Sequence, residues 1–240
     1  MSSVLNQSSN PQVRLLLTRA KQAQEEDRPN EALRLFIEVL RISPGEVDAL
    51  VGSGRLCLLL GDPGTALEQF TAVLVRLSNH VDSLHGRGVA LYNLGLEGQG
   101  LSDLDRALSL DPGHLECRLS RAQLLMESGR FADAVKDLEL ALREAPEDVD
   151  VLLELCRCRL TFPDIDAVEI ASQLARLGTT LDGDPLLLLL EAELALRTGA
   201  RAEGTSKLEE ALGLEPELAE VALSLQSCGE LSATTDELDD

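Results

Sequence analysis

Residues 128–148 read SGRFADAVKDLELALREAPED, and the stretch has relatives elsewhere in the same chain. Upstream stand GDPGTALEQFTAVL (61–74) and LGLEGQGLSDLDRALSLDPG (94–113), and downstream TGARAEGTSKLEEALGLEPE (198–217). Each opens on a small-residue turn, carries Ala or Gly, and places a large apolar residue four positions later. Aligning these features gives Ala32, Ala66, Gly100 and Ala134, each 34 residues after the last. Three further columns keep the same step: Ala20, Gly54, Gly88, Ala122; Phe36, Phe70, Leu104, Leu138; and Val39, Val73, Ala107, Ala141. Pro44, Pro112 and Pro146 close units, with Ser78 standing in for the missing proline. A fifth unit slips, its small position falling at Ala167, and a sixth regains register with Ala192, Gly204, Leu208, Ala211 and Pro216.

A fixed period of this length marks a repeat array, in which no unit can bury its apolar face alone. Within a unit the apolar and small residues recur at helical spacing, as in Val47, Leu50, Gly54 and Cys57 and again in Ala66, Phe70, Val73 and Leu77. Gly and Pro separate the two halves, so each unit is expected to be a pair of antiparallel helices. The small columns are read as the crossing points, where a bulky side chain would hold the backbones apart. The chain should therefore be all-α, with units near 13–46, 47–80, 81–114, 115–148, 149–184 and 185–218. A capping helix is expected over 217–227, between a loose terminus at 1–11 and an acidic disordered tail at 228–240. These boundaries leave a solenoid over 12–227.

Composition narrows the function. Hydrophobic residues make up 44% of the chain but aromatics only 2%, a Leu, Ala and Val core suited to close helix packing. The 42 acids against 21 bases give a net charge of −21, which disfavours nucleic acid and anionic membrane as direct partners. The start MSSVLNQSSN has neither part of a secretion signal, and the apolar run PLLLLL before Glu191 is too short to span a bilayer. Five irregularly spaced cysteines read as free thiols, which points to a cytoplasmic or nuclear protein.

No catalytic or metal constellation emerges, and no cofactor is expected. His80 and His114 share a turn column and are read as solvent-exposed. Cys156 takes a small crossing position, and CRC at 156–158 lacks the two-residue spacer of a redox pair. EGQG at 97–100 has no Lys-Ser/Thr pair to make a phosphate loop. An enzyme is not expected.

The columns resemble those of tetratricopeptide-repeat proteins, whose 34-residue unit has small residues at its eighth and twentieth positions, a large apolar one at the twenty-fourth and Pro at the thirty-second. The family's Trp at position four is replaced by Leu16, Leu50, Leu84, Arg118, Leu152 and Leu188. The resemblance implies a right-handed superhelical solenoid of six helix pairs, and a concave face lined by the first helix of each. By that register the groove would hold Arg14, Leu17, Lys21, Gln24 and Glu25; Asp48, Val51, Arg55, Leu58 and Leu59; Asp82, His85, Val89, Tyr92 and Asn93; and Glu116, Leu119, Gln123, Met126 and Glu127. Leu58, Val89 and Leu119 are open to either reading, groove lining or core between units. Arg55, Tyr92, Asn93 and Met126 are the stronger recognition candidates. The carboxylate clamp with which some members hold chaperone tails is not matched, since its positions carry Leu17, Lys21, Gly52, Asp82 and Gly86.

The expected function is thus a protein–protein interaction scaffold, holding a peptide or amphipathic helix with basic flanks in an apolar, acid-rimmed groove. Two alternatives stand beside it. LLLLL at 186–190 exceeds one buried face, so part of it would be exposed and pair two copies as a homodimer. Otherwise the acidic chain would shield basic client proteins as a chaperone or assembly factor.

Overall fold

The computed structural model describes residues 10–162 and 166–218. Among them there are twelve α-helices, one short 3-10 turn and no strand, so the fold is an all-α helical repeat. Contacts divide the chain into two compact units, residues 1–124 and 125–240. The first holds α1 (Pro11–Glu25), α2 (Pro29–Ile42), α3 (Val47–Leu59), α4 (Pro63–Arg76), α5 (Val81–Asn93), α6 (Glu97–Leu110) and most of α7 (Leu115–Glu127). The second holds the end of α7, then α8 (Phe131–Glu144), α9 (Val149–Arg159), α10 (Ala167–Gly178), α11 (Pro185–Arg197) and α12 (Arg201–Leu214).

The turn inside five of the hairpins has one recurring solution. Gly61, Gly95, Gly129 and Gly199 occupy the same column, all at φ between 72° and 83°, a region in which a side chain is strained. At the first of these turns the Gly61 amide donates to the Leu58 carbonyl and the Asp62 amide to the Cys57 carbonyl. This paired closure satisfies the last carbonyls of α3 and reverses the chain within two residues. Asp27 fills the same column in the first hairpin at φ 52°, with the equivalent Arg28 to Ala23 bond.

Small residues set the packing. A Cβ on Gly88 would lie 2.9 Å from the Gly100 carbonyl oxygen, and one on Gly100 would lie 2.6 Å from that of Gly88, so α5 and α6 cross with backbone against backbone. Between hairpins the aromatic column takes over. A Cβ on Gly52 would meet the Phe36 ring at 2.4 Å, and one on Gly86 would meet the Phe70 ring at 2.2 Å. Each phenylalanine is fully buried, wedged beneath the first helix of the following hairpin.

The first helices start on a second recurring device. Asn10, His80, Asp148 and Asp184 each accept a backbone N–H from the first turn of the helix they precede. His114 does the same for α7, its Nδ1 accepting from the Cys117 amide at 3.1 Å. Glu46 occupies this column before α3 but makes no such bond. Its side chain is buried, and burial raises its pKa.

Two expectations are corrected here, and a third falls mostly outside the described residues. Helix α1 begins at Pro11 under its Asn10 cap, so residues 10 and 11 are ordered structure and not part of a loose terminus. Among residues 217–227 only Glu217 and Leu218 are described, within the single 3-10 turn Pro216–Leu218, and the remainder lies outside the described residues, as does the tail at 228–240. The leucine run is not an exposed surplus: Leu187 to Leu190 are all buried and only Leu186 is half-exposed. Leu187 and Leu190 pack with α9 and α10, whereas Leu188 and Leu189 pack with α12. A helix sandwiched between two neighbours needs two apolar faces, and five consecutive leucines supply them.

Candidate functional site

Within the first unit, ion pairs tie α1 to α3 and α3 to α5. Lys21 Nζ on α1 lies 2.9 Å from Asp48 Oδ2 on α3, and Arg55 Nη2 on α3 lies 2.9 Å from Asp82 Oδ1 on α5. Both pairs span 27 residues, from position nine of one repeat to position two of the next. Arg55 also approaches Glu116 on α7, at 3.9 Å. Lys21, Asp48, Arg55, Asp82 and Glu116, on α1, α3, α5 and the start of α7, therefore lie along one shared surface. All these charges are substantially exposed, so each pair orders the surface and adds little to stability.

Histidine chemistry sits at the α5–α7 end of this surface. His85 Nε2 lies 2.8 Å from Ser120 Oγ, and its ring meets that of His114 edge-on, with centroids 5.4 Å apart. His114 Nε2 lies 3.4 Å from Asp82 Oδ1. Burial, then the neighbouring His114 and Arg55, lower the pKa of His85 from 6.5 to about 4. Reading His114 as a solvent-exposed turn residue is thus corrected: its side chain is 14% exposed and is bonded at both ring nitrogens. Aspartates at residues 148 and 184, in the same column, were the signal that this position caps a helix.

The remaining predicted residues divide by depth. Leu58, Val89 and Leu119 are half-buried, and Leu58 packs on the core around Cys57 and Phe70. Leu17, expected in the groove, is buried in the α1–α2 core. Tyr92 is half-buried, with its hydroxyl 3.4 Å from the Leu124 carbonyl oxygen. Asn93 and Gln123 are exposed, and Leu59 stands 70% exposed at the end of α3. Met126 is half-buried and Glu127 exposed at the C-terminal end of α7, within the second unit.

Other reactive side chains are quieter. Cys57, Cys117, Cys156 and Cys158 are free and buried, and burial pushes the thiols of Cys156 and Cys158 up to about 11. Such thiols are poor nucleophiles at neutral pH. Among the described residues no group of three or more His, Cys, Asp or Glu is placed to hold a metal ion. No helix among them is long and apolar enough to cross a membrane. Arg87 grips Asp103 through two hydrogen bonds of 2.6 and 2.8 Å, at the floor of a cleft of about 560 Å³ between α4 and α6.

Charge is unevenly shared. Residues 1–124 carry 15 acids against 12 bases, whereas residues 125–240 carry 27 against 9. The acidity belongs almost wholly to the second unit.

Helical hairpins repeating at a fixed step, with the first helices of the first unit tied by ion pairs, define a helical-repeat interaction scaffold. Tetratricopeptide-repeat profiles match residues 17–81 and 115–158, so the chain carries repeats of the tetratricopeptide type in both stretches. Comparison with curated protein sequences gives no match. Among solved structures, pilF of Pseudomonas aeruginosa is 18% identical with a TM-score of 0.74, covering 90% of this chain and 97% of its own. A tetratricopeptide-repeat protein of Parabacteroides merdae is also 18% identical, with a TM-score of 0.66 over 90% of this chain and 85% of its own. YrrB, described as having an unusual peptide-binding site, is 14% identical with a TM-score of 0.62 over 80% and 97%. At these identities the likeness is one of fold.

Proposed function

We propose that this protein is a non-enzymatic scaffold that holds a peptide or helical segment of a partner against the first-helix face of its first unit. The family is one of protein-interaction repeats, which supports the scaffold role. The observation that carries the reading is the cross-repeat ladder of Lys21–Asp48 and Arg55–Asp82. It holds half-exposed Tyr92, Val89 and Leu119 beside a fixed pattern of charge. Pre-positioned polar groups beside amphipathic and apolar ones suit recognition of a short segment, because little side-chain entropy is left to lose on binding. Peptide binding in a like fold, as the description of YrrB states for that protein, supports the same reading.

The test is selection from a displayed random-peptide library on the full chain, with the selected peptides then measured against Arg55→Glu/Tyr92→Ala. Selected peptides should carry apolar residues with Lys or Arg flanks and should lose binding to the double variant. Peptides that bind the variant as well as the wild type would remove this face from the account.

The acid excess of the second unit supports a second reading, the shielding of basic client proteins. That mode is dominated by screened charge, so its affinity should fall steeply with salt. Binding at the first-unit face should fall less. Buried free thiols favour a reducing compartment, and we place the protein in the cytoplasm or nucleus.

A further inference from the structure

Two histidines meet at the start of α7. The cap at His114 works only while Nδ1 is unprotonated, because that nitrogen accepts the Cys117 amide. The ring proton then lies on Nε2, facing Asp82 Oδ1 at 3.4 Å. Next to it the largely enclosed His85 ring is bonded to Ser120 on α7. His114 thus caps α7 and reaches Asp82 on α5, while His85 on α5 bonds Ser120 on α7.

We propose that the His85–His114 pair is an acid-sensitive latch, which holds the N-terminal turns of α7 against α5 when both rings are neutral and releases them when protons are added.

The charges around the pair set the sign. From α5 comes Asp82, from α7 Glu116, and from α3 Arg55. The carboxylates of Asp82 and Glu116 favour a charged ring, but Arg55 already engages both. The Asp111 carboxylate accepts the Gly113 amide. Arg118, also on α7, is directed to the Pro112 carbonyl. A proton on His114 Nδ1 removes the acceptor of the Cys117 amide. A proton on His85 is opposed by burial, His114 and Arg55, so the folded ring titrates near pH 4 and the unfolded one near 6.5. A histidine with a depressed folded pKa contributes stability that is present above pH 6.5 and is lost as pH falls towards 4. His80 caps α5 through the same nitrogen, accepting from the Ser83 amide at 3.3 Å. Because His85 and Arg55 lie on the proposed partner face, acid would also weaken capture there. That consequence rests on the proposed function, whereas release of α7 does not.

The experiment is amide hydrogen exchange by NMR on the full chain, corrected for intrinsic rates, at neutral pH and at mildly acidic pH within the titration window of His85. Protection of the Cys117 and Arg118 amides should fall by about tenfold or more in acid. The Val151 amide, capped by Asp148, should change little and serves as the internal control. In His85→Gln/His114→Asp, which gives α7 the same type of cap as α9, the acid loss should disappear. Equal protection at both pH values in the wild type, or the same acid loss in the variant, would overturn the latch. If the variant does not fold, the wild-type imidazole signals decide. The latch requires the Nε2–H tautomer on His114 and a neutral His85 below its ordinary pKa, and the opposite of either overturns it.

Discussion

At the scale of single residues, the packing is controlled by what is missing from glycine. Phe70 is fully buried because Gly86 offers its ring a surface without a Cβ, and Gly52 does the same for Phe36. Gly86→Ala should therefore lower stability by about 1–3 kcal/mol, the usual cost of overpacking a core. Replacing Phe70 by Leu in the same chain should recover part of that loss. The next junction in the sequence already changes both columns together, with Leu104 and Ser120 where Phe70 and Gly86 stand. A denaturation midpoint for the two single variants and the double checks this, and strictly additive losses would contradict it. The columns were visible in the sequence, and so was the small residue at each crossing. That phenylalanine of one hairpin meets glycine of the next was not, because it depends on how successive hairpins are set against each other.

At the scale of the helix and its turn, the chain repeats one design and departs from it at identifiable places. Glu46 stands in the cap column without capping α3, and its carboxyl is buried with a raised pKa. A carboxyl whose folded pKa is raised costs stability at neutral pH, a cost relieved as pH falls through that pKa. Glu46→Ser should supply the missing cap, remove the buried charge, and raise stability by about 1 kcal/mol. Thermal unfolding at neutral pH is the check, and a lowered midpoint would mean that Glu46 holds an interaction more valuable than a cap. Leu190 in α11 is buried against α9 and α10. Leu190→Ala should cost about 2–5 kcal/mol with no change in sedimentation behaviour, since its role is core packing. The leucine run misleads when read on a single helix face, because one helix in a layered array has two covered sides. The capping histidine misleads for a related reason: a turn residue in sequence becomes the first acceptor of a helix once the helix start is located.

At the scale of the whole molecule, charge is the property that composition stated most directly and placed least. A net charge of −21 repels itself, so raising salt from about 0.01 M to about 0.15 M, which shortens the Debye length from about 30 Å to about 8 Å, should raise the unfolding temperature. An unfolding temperature independent of salt would show that the acids are locally compensated. The excess lies in residues 125–240, whereas the ion-pair ladder that orders the candidate face lies in the first unit. The period and the fold were legible from residue spacing alone. The candidate face was legible in part, since Lys21, Arg55 and His85 converge through partners on neighbouring helices, while Leu17 turned inward. The most direct test of the account is the affinity of one library-selected peptide for the wild type, for Arg55→Glu/Tyr92→Ala, and for Arg34→Glu on the exposed surface of α2. The account predicts a loss of about tenfold or more for the face variant, with helicity retained, and little change for the α2 variant. Equal affinity for all three proteins would contradict it.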